Sequence, residues 1–493
     1  MRDAAPLEGL LSLTDRDLGE LRERVAAAGY DASALALGES IAPQYLDGLR
    51  LGLVQRALRL AATPAATLAR VFSYRDSAGE PELRGALGDR CVDALLAAGV
   101  LARDGDALRS RMTLTPFCGM WLLADPLDVE GDAVMGPGAL TLHLVDALPE
   151  RCPERVLDLG CGAGSFALLA ARRGATGAVG VDLNPRATAV SAINARLNGL
   201  DVRFAAGDMT EPVAGERFDL VVTQPPFVAK PPEVPSSTYL HGGDAVTLRM
   251  LSAAGGALDV GGVCVARFDA AVTREPLVRR VREALGDEGL DVVLLTGKGV
   301  PPDVLSIAYA SAADPGLGPA FRERARMYRD HLAAMGVTEL SSTVARVSRP
   351  RGRSQGFAAA LVARSVARVD HATLEGAWAG FDALTRGPKG MLDARLALPP
   401  GASLSRTVTL AGDGPEDEGA LRFATEVFPD VSLSNAAAEL FATLVTSGTV
   451  REAIGRWAEL TEQTVEAVRE DVLRFASDQV ARGRATVTAP TSI

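Results

Sequence analysis

The chain has 493 residues, which is more than one hydrophobic core can organise, so its length predicts two or three domains. Hydrophobic residues make up 47% and charged residues 23%, a composition typical of globular proteins and not of disordered ones. The formal net charge of -11 disfavours a large phosphate-binding surface without excluding a local basic patch, so polyanions are a second choice of partner.

The cysteines and the apolar runs bear on the compartment. The five cysteines, Cys91, Cys118, Cys152, Cys161 and Cys264, show no metal-ligand spacing, which indicates reduced, buried thiols and no metal site. The N-terminus meets acidic residues before a signal-peptide core, and no stretch offers roughly 18 uncharged apolar residues in a row. These features predict a soluble cytoplasmic protein without membrane association.

The first quarter of the chain has a helical pattern. Across residues 15–125 apolar side chains recur three and four positions apart, and glycines stand where helices would end. A DGD turn and a basic, strand-prone segment, RSRMTLTPF, follow the last helix. Helices followed by a small hairpin predict a winged-helix-like N-terminal domain over residues 1–125. An all-helical cap with one connecting loop is the alternative.

Residues 126–314 contain β-rich runs that alternate with helical stretches. The runs are RVLDLG, AVGVDL, VRFAAG, FDLVVTQ, VCVARFD, DVVLLTG and VLSIAYA. This alternation predicts parallel β-α-β units, and therefore an α/β fold with a doubly wound sheet. Only the loop KGVPP separates the last two runs, which is too short for a helical crossover, so the last strand is predicted to be antiparallel.

Two further regions follow. Residues 315–370 are predicted to extend the α/β domain with an amphipathic helix, FRERARMYRDHLAAMG, and a strand pair, TVARVSRP and FAAALVARS. Residues 371–493 are predicted to form a mainly helical C-terminal domain that ends in three helices.

The first predicted β-α turn contains three glycines, Gly160, Gly162 and Gly164. Glycines suit a sharp turn that a ligand approaches closely, because no Cβ stands in the way. The next strand ends in Asp182 and Leu183, at the distance where an acidic residue in this architecture accepts hydrogen bonds from ribose hydroxyls. These five residues are therefore candidates for binding a nucleoside-containing cofactor.

Two cofactors fit this turn. Read from Gly162, the run also satisfies G-x-G-x-x-A, so a nicotinamide dinucleotide stays open. Asp158, two residues before the first glycine, would repel a pyrophosphate but can accept from an α-ammonium group, which S-adenosylmethionine carries. After the third strand, the Asp208 carboxylate can take the adenine amine and Met209 can cover the ring. These residues favour S-adenosylmethionine.

The fourth predicted strand ends in the tetrapeptide Gln224, Pro225, Pro226 and Phe227. Because prolines fix the backbone and cannot donate, the Pro225 carbonyl and the Gln224 side-chain oxygen can both face a substrate N–H pair. Phe227 offers its ring face to a cation-like methyl-transfer centre. Methyl transfer from a sulfonium is an in-line displacement that depends on positioning the attacking lone pair. The four residues are the candidate catalytic residues.

The order of these motifs resembles class I S-adenosylmethionine-dependent methyltransferases, whose fold is Rossmann-like. It is similar in particular to amino-methyltransferases with Asn, Asp or Ser before Pro-Pro-Tyr or Pro-Pro-Phe, such as the release-factor glutamine methyltransferases and their small-domain rRNA relatives. The resemblance covers residues 134–310. Gln224 departs from it, because its extra methylene moves the amide by about 1.5 Å. That departure puts a planar amide or nucleobase amine in doubt as acceptor and leaves O- or C-methylation open.

The resemblance implies a methyltransferase with S-adenosylmethionine as cofactor, and N-methylation of a protein or peptide side chain or of a small metabolite is the leading expectation. An rRNA or tRNA base is the second choice of acceptor, and a catalytically idle donor-binding module is the alternative of another class. His143, Tyr239 and His241 lie near the motifs and are candidates for acceptor binding, with a core or solvated position as the alternative for each. A homodimer is the candidate assembly.

Overall fold

The structure is a computed structural model. It describes residues 4–40, 47–126, 129, 131–226, 230–234, 244–286, 289–313, 318–352, 355–411, 414–423 and 427–488. None of the helices in these ranges combines the length and the apolar character that a transmembrane span requires.

The N-terminal part combines helices with two small sheets. Its elements are α1 Leu7–Leu11, α2 Asp15–Ala27, α3 Ala32–Ser40, α4 Asp47–Ala61, α5 Pro64–Phe72, β1 Ser77–Gly79, α6 Glu80–Leu87, α7 Asp89–Ala97, β2 Leu101–Asp104, β3 Ala107–Ser110, β4 Thr113–Phe117 and β5 Met120–Ala124. Strands β1, β3 and β2 form an antiparallel sheet in that order, and β4 and β5 form a hairpin. The all-helical alternative is therefore wrong, because polar-apolar alternation after α7 forms strands.

Helix α2 shows how local sequence sets these elements. Thr14 accepts a hydrogen bond from the Asp17 N–H while the Asp17 carboxylate accepts from the Thr14 N–H, which satisfies backbone donors that a helix start leaves free. Leu18, Leu21 and Val25 follow at helical spacing and are fully buried in the N-terminal core.

The middle of the chain forms an eight-stranded sheet. Its strands are β6 Arg155–Leu159, β7 Gly177–Asp182, β8 Arg203–Ala206, β9 Phe218–Thr223, β10 Leu258–Val272, β11 Asp291–Thr296, β12 Glu339–Ser348 and β13 Ala358–Val362. Its helices are α8 Ala139–Asp146, α9 Ser165–Arg172, α10 Pro185–Asn198, α11 Asp244–Ala257, α12 Leu277–Leu285, α13 Pro302–Ala313 and α14 Pro319–Ala334. The strand order is β13-β11-β12-β10-β9-β6-β7-β8, and only β12 runs antiparallel to its neighbours. The prediction of a Rossmann-like α/β sheet is confirmed.

The antiparallel strand is not the one predicted. VLSIAYA lies in α13, and β12 takes the place between β10 and β11. Ser306 and Ala310, four residues apart, are its buried positions, whereas Val304 and Ile307 are 55% and 48% exposed. Because a strand inside a covered sheet buries its branched side chains on both faces, this exposure pattern belongs to a helix.

The predicted strand pair of residues 315–370 is also wrong. TVARVSRP lies in β12 and FAAALVARS supplies β13, but the two do not pair, because β11 lies between them. Strand β13 instead extends the sheet in parallel with β11, from Val292 opposite Ala358 to Thr296 opposite Val362. The sheet therefore continues beyond residue 314.

The C-terminal part contains more strands than the sequence predicted. Its elements are α15 His371–Thr385, α16 Gly387–Leu392, β14 Arg395–Ala397, β15 Ala402–Ala411, β16 Gly414–Phe423, β17 Val431–Leu433, α17 Asn435–Thr446, α18 Val450–Leu460, α19 Val465–Ala481 and β18 Thr486–Thr488. Strands β15, β16 and β17 form one antiparallel sheet, and β14 pairs with β18. Helices still form most of this region.

The two faces of the central sheet carry different layers. Val156, Val222 and Val265 share one hydrophobic core with α8, α9 and the C-terminal helices. Leu157 and Val221, their neighbours along the strands, face the opposite core, which is formed with α11 and α12. Because successive side chains of a strand point to opposite faces, each further strand residue can be assigned to one of these two cores.

The N-terminal part is fixed to α10. Asn194 accepts from the Leu123 N–H at 2.8 Å and donates to the Leu123 carbonyl at 2.9 Å, so its amide completes the edge of β5. Arg186 forms a bidentate ion pair with Asp125, at 2.9 and 3.0 Å, and both side chains are buried. Apolar residues of α10 complete the N-terminal core.

Candidate functional site

The glycine turn follows β6 at the carboxyl edge of the sheet. Gly160, Gly162 and Gly164 have φ values of 78°, 53° and 83°, a region that side chains disfavour. A Cβ on Gly162 would lie 3.1 Å from the Met135 carbonyl oxygen, and one on Gly164 would lie 3.0 Å from the Ser191 hydroxyl. Both conformation and space therefore require glycine here.

Asp158 braces this turn. One of its carboxylate oxygens accepts from the N–H groups of Phe166 and Ala167, at 3.0 and 2.9 Å, in the first turn of α9. These donors are left free by the helix start, where the preceding Gly164 offers no side chain. Burial raises the pKa of the Asp158 carboxyl from 3.8 to about 7, against the lowering effect of the two hydrogen bonds. The contact with an α-ammonium group stays a prediction.

Asp182 lies at the end of β7 and joins the turn to the next loop. Its carboxylate accepts from the Gly162 N–H at 2.8 Å and from the Asn184 N–H at 2.9 Å. Burial raises the pKa of this carboxyl, and the two hydrogen bonds oppose that rise. Leu183 is 70% exposed, so it presents an apolar surface beside a carboxylate. These neighbours have the character that an adenosine site needs, although their role in binding stays a prediction.

Asp208 and Met209 follow β8. The Asp208 carboxylate forms an ion pair with Arg249 at 3.1 Å, and its side chain is 43% exposed. Met209 has a φ of 48°, and its side chain packs against the core that α11 and α12 share with the sheet. The two residues therefore lie at the same sheet edge as Asp182, whose carbonyl accepts from the Gly207 N–H.

Gln224 leaves the sheet directly after Thr223, the last residue of β9. Its side-chain oxygen accepts from the Thr141 hydroxyl at 3.1 Å, and that hydroxyl accepts in turn from the Gly138 N–H at 3.2 Å. This chain of contacts directs the amide oxygen of Gln224 towards α8, and not towards a substrate N–H as the sequence predicted. Among the described residues, no hydrogen-bond partner is recorded for its amino group. Thr141 was missed by the sequence reasoning, because no motif links α8 to the end of β9.

The remaining predicted residues fall into two groups. Pro225 is buried and Pro226 half-buried beside Gln224, whereas Phe227, Tyr239 and His241 lie outside the described residues. His143 in α8 is half-buried, and its Nδ1 atom is buried without a hydrogen-bond partner among the residues that the structure describes. Burial lowers the pKa of His143, and the positive charge of Arg267 lowers it further.

The fold and the glycine turn define the class of this domain, and comparison with known proteins agrees. The profile of the methyltransferase small domain matches residues 138–281. A domain of unknown function (DUF7059) matches residues 27–111.

Known relatives match the same part of the chain. The release factor glutamine methyltransferase of Rhodospirillum rubrum is 43% identical over 122 residues, which cover 22% of this chain and 34% of that protein. The enzyme of the same name from Xylella fastidiosa is 36% identical over 152 residues, 27% of this chain and 54% of that protein. The ribosomal RNA small subunit methyltransferase C of Alcanivorax borkumensis is 39% identical over 89 residues, 18% of this chain and 27% of that protein.

These matches confirm the prediction of a class I S-adenosylmethionine-dependent methyltransferase domain, with S-adenosylmethionine as its cofactor. The chain spans about a third to a half of the length of the two release-factor enzymes, and about a quarter of the rRNA enzyme. Its own reaction and its acceptor are therefore proposals.

Proposed function

We propose that the protein transfers a methyl group from S-adenosylmethionine to a nitrogen of a protein or peptide side chain or of a small metabolite. One observation carries this proposal. At the carboxyl edge of the sheet, the glycine turn of β6 lies between Asp182 of β7 and Gln224 of β9, so a donor site and an acceptor site adjoin. Ligands of open α/β sheets bind at this edge.

The residues on the donor side fit S-adenosylmethionine. The turn offers backbone without side chains, as a ligand lying against it requires. Each Asp182 oxygen accepts one backbone N–H and keeps a lone pair for a ribose hydroxyl. Leu183, exposed beside it, would cover the adenine ring, and Asp208 would accept from the adenine amine. No phosphate is needed, which agrees with Asp158 beside the turn.

The residues on the acceptor side position a nucleophile. The donor supplies a methyl group on a sulfonium: the acceptor's lone pair forms the new bond to carbon while the carbon–sulfur electrons return to sulfur. Gln224, whose side chain is held by Thr141, orients the acceptor. The Pro225 carbonyl accepts a hydrogen bond from the N–H group of the acceptor. The nitrogen then loses one proton to solvent, so no strong base is needed when a neutral amine attacks.

We further propose that residues 64–110 form a winged-helix-like unit. The order α5, β1, α6, α7, β2, β3 and the sheet order β1-β3-β2 support it. The exposed face of α7 carries Asp89 and Asp93, whose side chains are 83% and 65% exposed. Both carboxylates pair with the single Arg84, so this face keeps a net negative charge that disfavours phosphates. We therefore assign the unit to closure over the acceptor or to homodimer contacts in preference to RNA binding.

The test is transfer of labelled methyl from S-adenosylmethionine into a lysate fractionated into protein, RNA and small molecules. Asp182→Asn keeps an oxygen for the Gly162 N–H but cannot accept as a carboxylate does, so we expect it to abolish labelling. Asp201→Asn is the matched control, because Asp201 is exposed and away from the turn.

Four results would contradict the proposal. Label in the RNA fraction would name the other acceptor class. Label that persists in Asp182→Asn would show that another enzyme acts. Binding of S-adenosylhomocysteine without any label would favour the idle donor-binding module, and stabilisation by NAD instead would favour an oxidoreductase.

A further inference from the structure

Arg267 is a buried arginine with free donors. It lies on β10, is 4% exposed, and its Nε and Nη1 atoms have no hydrogen-bond partner in the part of the chain that the structure describes. Burial lowers the pKa of this guanidinium, with Asp269 opposing that change. A buried charged group with unsatisfied donors is costly, so its retention calls for a partner other than those that the described residues supply.

Arg346 on the neighbouring strand β12 shows what a structural arginine looks like in the same place. Its side chain is 4% exposed, like that of Arg267, and it faces the same side of the sheet. Arg346 has its partners: Glu375 at 2.8 and 3.0 Å, the Ser348 hydroxyl at 2.8 Å and the Trp378 ring at 4.5 Å. The fold thus satisfies one buried guanidinium on this face and leaves the other open.

The open arginine lies next to the acceptor site. Thr223, the last residue of β9, pairs with Ala266 inside the longer parallel strand β10, so Gln224 lies beside Arg267 just beyond the end of β9. Val222 and Val265, two residues earlier, face the same core, so Gln224 and Arg267 point to one side of the sheet.

Two more basic side chains surround this position. One is His143 of α8, and the other is Arg368 of the short 3-10 helix at residues 366–368. His143 lies close enough to both Arg368 and Arg267 for their positive charges to lower its pKa. Arg368 is exposed, His143 is half-buried and Arg267 is buried. The three basic side chains therefore differ stepwise in depth, from the solvent to the interior of the sheet. Two carboxylates act on this group: Asp146 on His143, and Asp269 on Arg267. Asp269 accepts from Ser342, and no ion pair joins it to Arg267 in the described residues.

We propose that Arg267, with His143 and Arg368, binds an anionic group of the methyl acceptor, a carboxylate or a phosphate carried by a small molecule. A guanidinium offers parallel N–H donors that match either group bidentately, and burial strengthens the contact. This inference rests on the proposed function in one respect: the bound anion is taken to be part of the methyl acceptor. It places the anion beside the atom that Gln224 orients, so the acceptor is a small molecule that carries an acid group in addition to the nitrogen that attacks.

The test compares Arg267→Met with Arg346→Met, two equal truncations on one face. Unfolding temperatures are recorded for the full chain with sodium acetate, sodium phosphate or sodium chloride at equal ionic strength. We expect acetate or phosphate to raise the Tm of the unchanged protein above the chloride value, and the response to fall roughly tenfold in Arg267→Met. The preferred anion tells a carboxylate acceptor from a phosphate one. Without added anion, Arg267→Met should unfold at the same or a higher temperature. Arg346→Met should lose stability, because it removes the bidentate pair with Glu375, the hydrogen bond to Ser348 and the contact with the Trp378 ring.

Binding of S-adenosylhomocysteine, measured by calorimetry, separates the remaining explanations. We expect Arg267→Met to bind it as the unchanged protein does. Loss of this binding would assign Arg267 to the donor's carboxylate, and destabilisation equal to that of Arg346→Met would make Arg267 structural. An anion response that persists in Arg267→Met would place the anion elsewhere. Each of these results overturns the inference. None of these readouts depends on methyl transfer. If the anion binds at Arg267 but no methyl group is transferred, the result contradicts the proposed function and leaves the anion site in place.

Discussion

Asp158→Asn tests how the glycine turn is held. One oxygen of Asp158 accepts both N–H groups at the start of α9, and the side chain is only 1% exposed. Asparagine keeps an oxygen at this position and removes the negative charge. The substitution therefore preserves the cap and abolishes the titration.

The size of the effect follows from the pKa. The pKa of Asp158 rises from 3.8 to about 7 on folding, chiefly through burial. A group with a raised folded pKa stabilises fully below its unfolded pKa, and that contribution is lost as pH rises through the folded one. This rise in the pKa of Asp158 corresponds to about 4 kcal/mol in the free energy of unfolding. Of this, about 2.5 kcal/mol is lost between roughly pH 5 and pH 8, because the unfolded carboxyl is already ionised at the lower pH.

The assay is thermal unfolding of both proteins at a series of pH values between about 5 and 8. We expect the Tm of Asp158→Asn minus that of the unchanged protein to rise with pH by about 5–10 °C, at 2–4 °C per kcal/mol. Groups that do not interact with the charge of Asp158 titrate alike in the two proteins, whereas Asp182 and Cys161 do interact with it. Asp201→Asn, an exposed amide substitution, should show a constant difference. A difference between Asp158→Asn and the unchanged protein that does not vary with pH would refute the reasoning.

Three further substitutions probe the neighbouring contacts. Gly162→Ala places a Cβ at a φ of 53° and 3.1 Å from a carbonyl oxygen, so calorimetry should show at least roughly tenfold weaker binding of S-adenosylhomocysteine; unchanged affinity would contradict the close approach. Thr141→Val removes the hydroxyl that holds Gln224, so kcat for methyl transfer should fall by roughly a hundredfold with KM for the donor unchanged; an equal rise in KM would point to the donor site instead. Asp125→Asn leaves Arg186 buried without its anion, so the free energy of unfolding in denaturant should fall by about 3–5 kcal/mol. A change within experimental error would show that water replaces the carboxylate around the guanidinium.

The donor side could be read from the sequence because its signals are local. Gly160, Gly162 and Gly164 occupy the left-handed conformations for which glycine is selected, and Asp182 follows at the end of the next strand. Alternating strands and helices then fix a parallel sheet, since sequential β-α-β units have few ways to pack.

What escaped prediction depends on contacts between distant segments. VLSIAYA has strand-like residues, yet β12 fills the strand position, and the helix leaves Val304 and Ile307 in solvent. Thr141 and Arg267 carry no motif, because one lies on a helix before the first sheet strand and the other inside the fifth. Their meaning comes only from the register that brings them to Gln224.

The N-terminal part is coupled to the donor side of the sheet edge. Asn184, whose N–H donates to Asp182, also donates through its amide to the Asp132 carbonyl, in the segment that links β5 to α8. The same segment contains Asp125, the partner of Arg186 two residues after Asn184. The loop after β7 is therefore held by residues that belong to the N-terminal connection.

The acceptor side is built from other elements. Thr141 and His143 come from α8, Arg267 from β10 and Arg368 from the chain after β13. Since α8 and residues 366–368 both rest on the face of the sheet that the C-terminal part covers, a change in the C-terminal helices would reach the acceptor pocket before it reached the glycine turn. The N-terminal part thus holds the loop that we propose for the cofactor, and the C-terminal part is where selection of the acceptor should be sought.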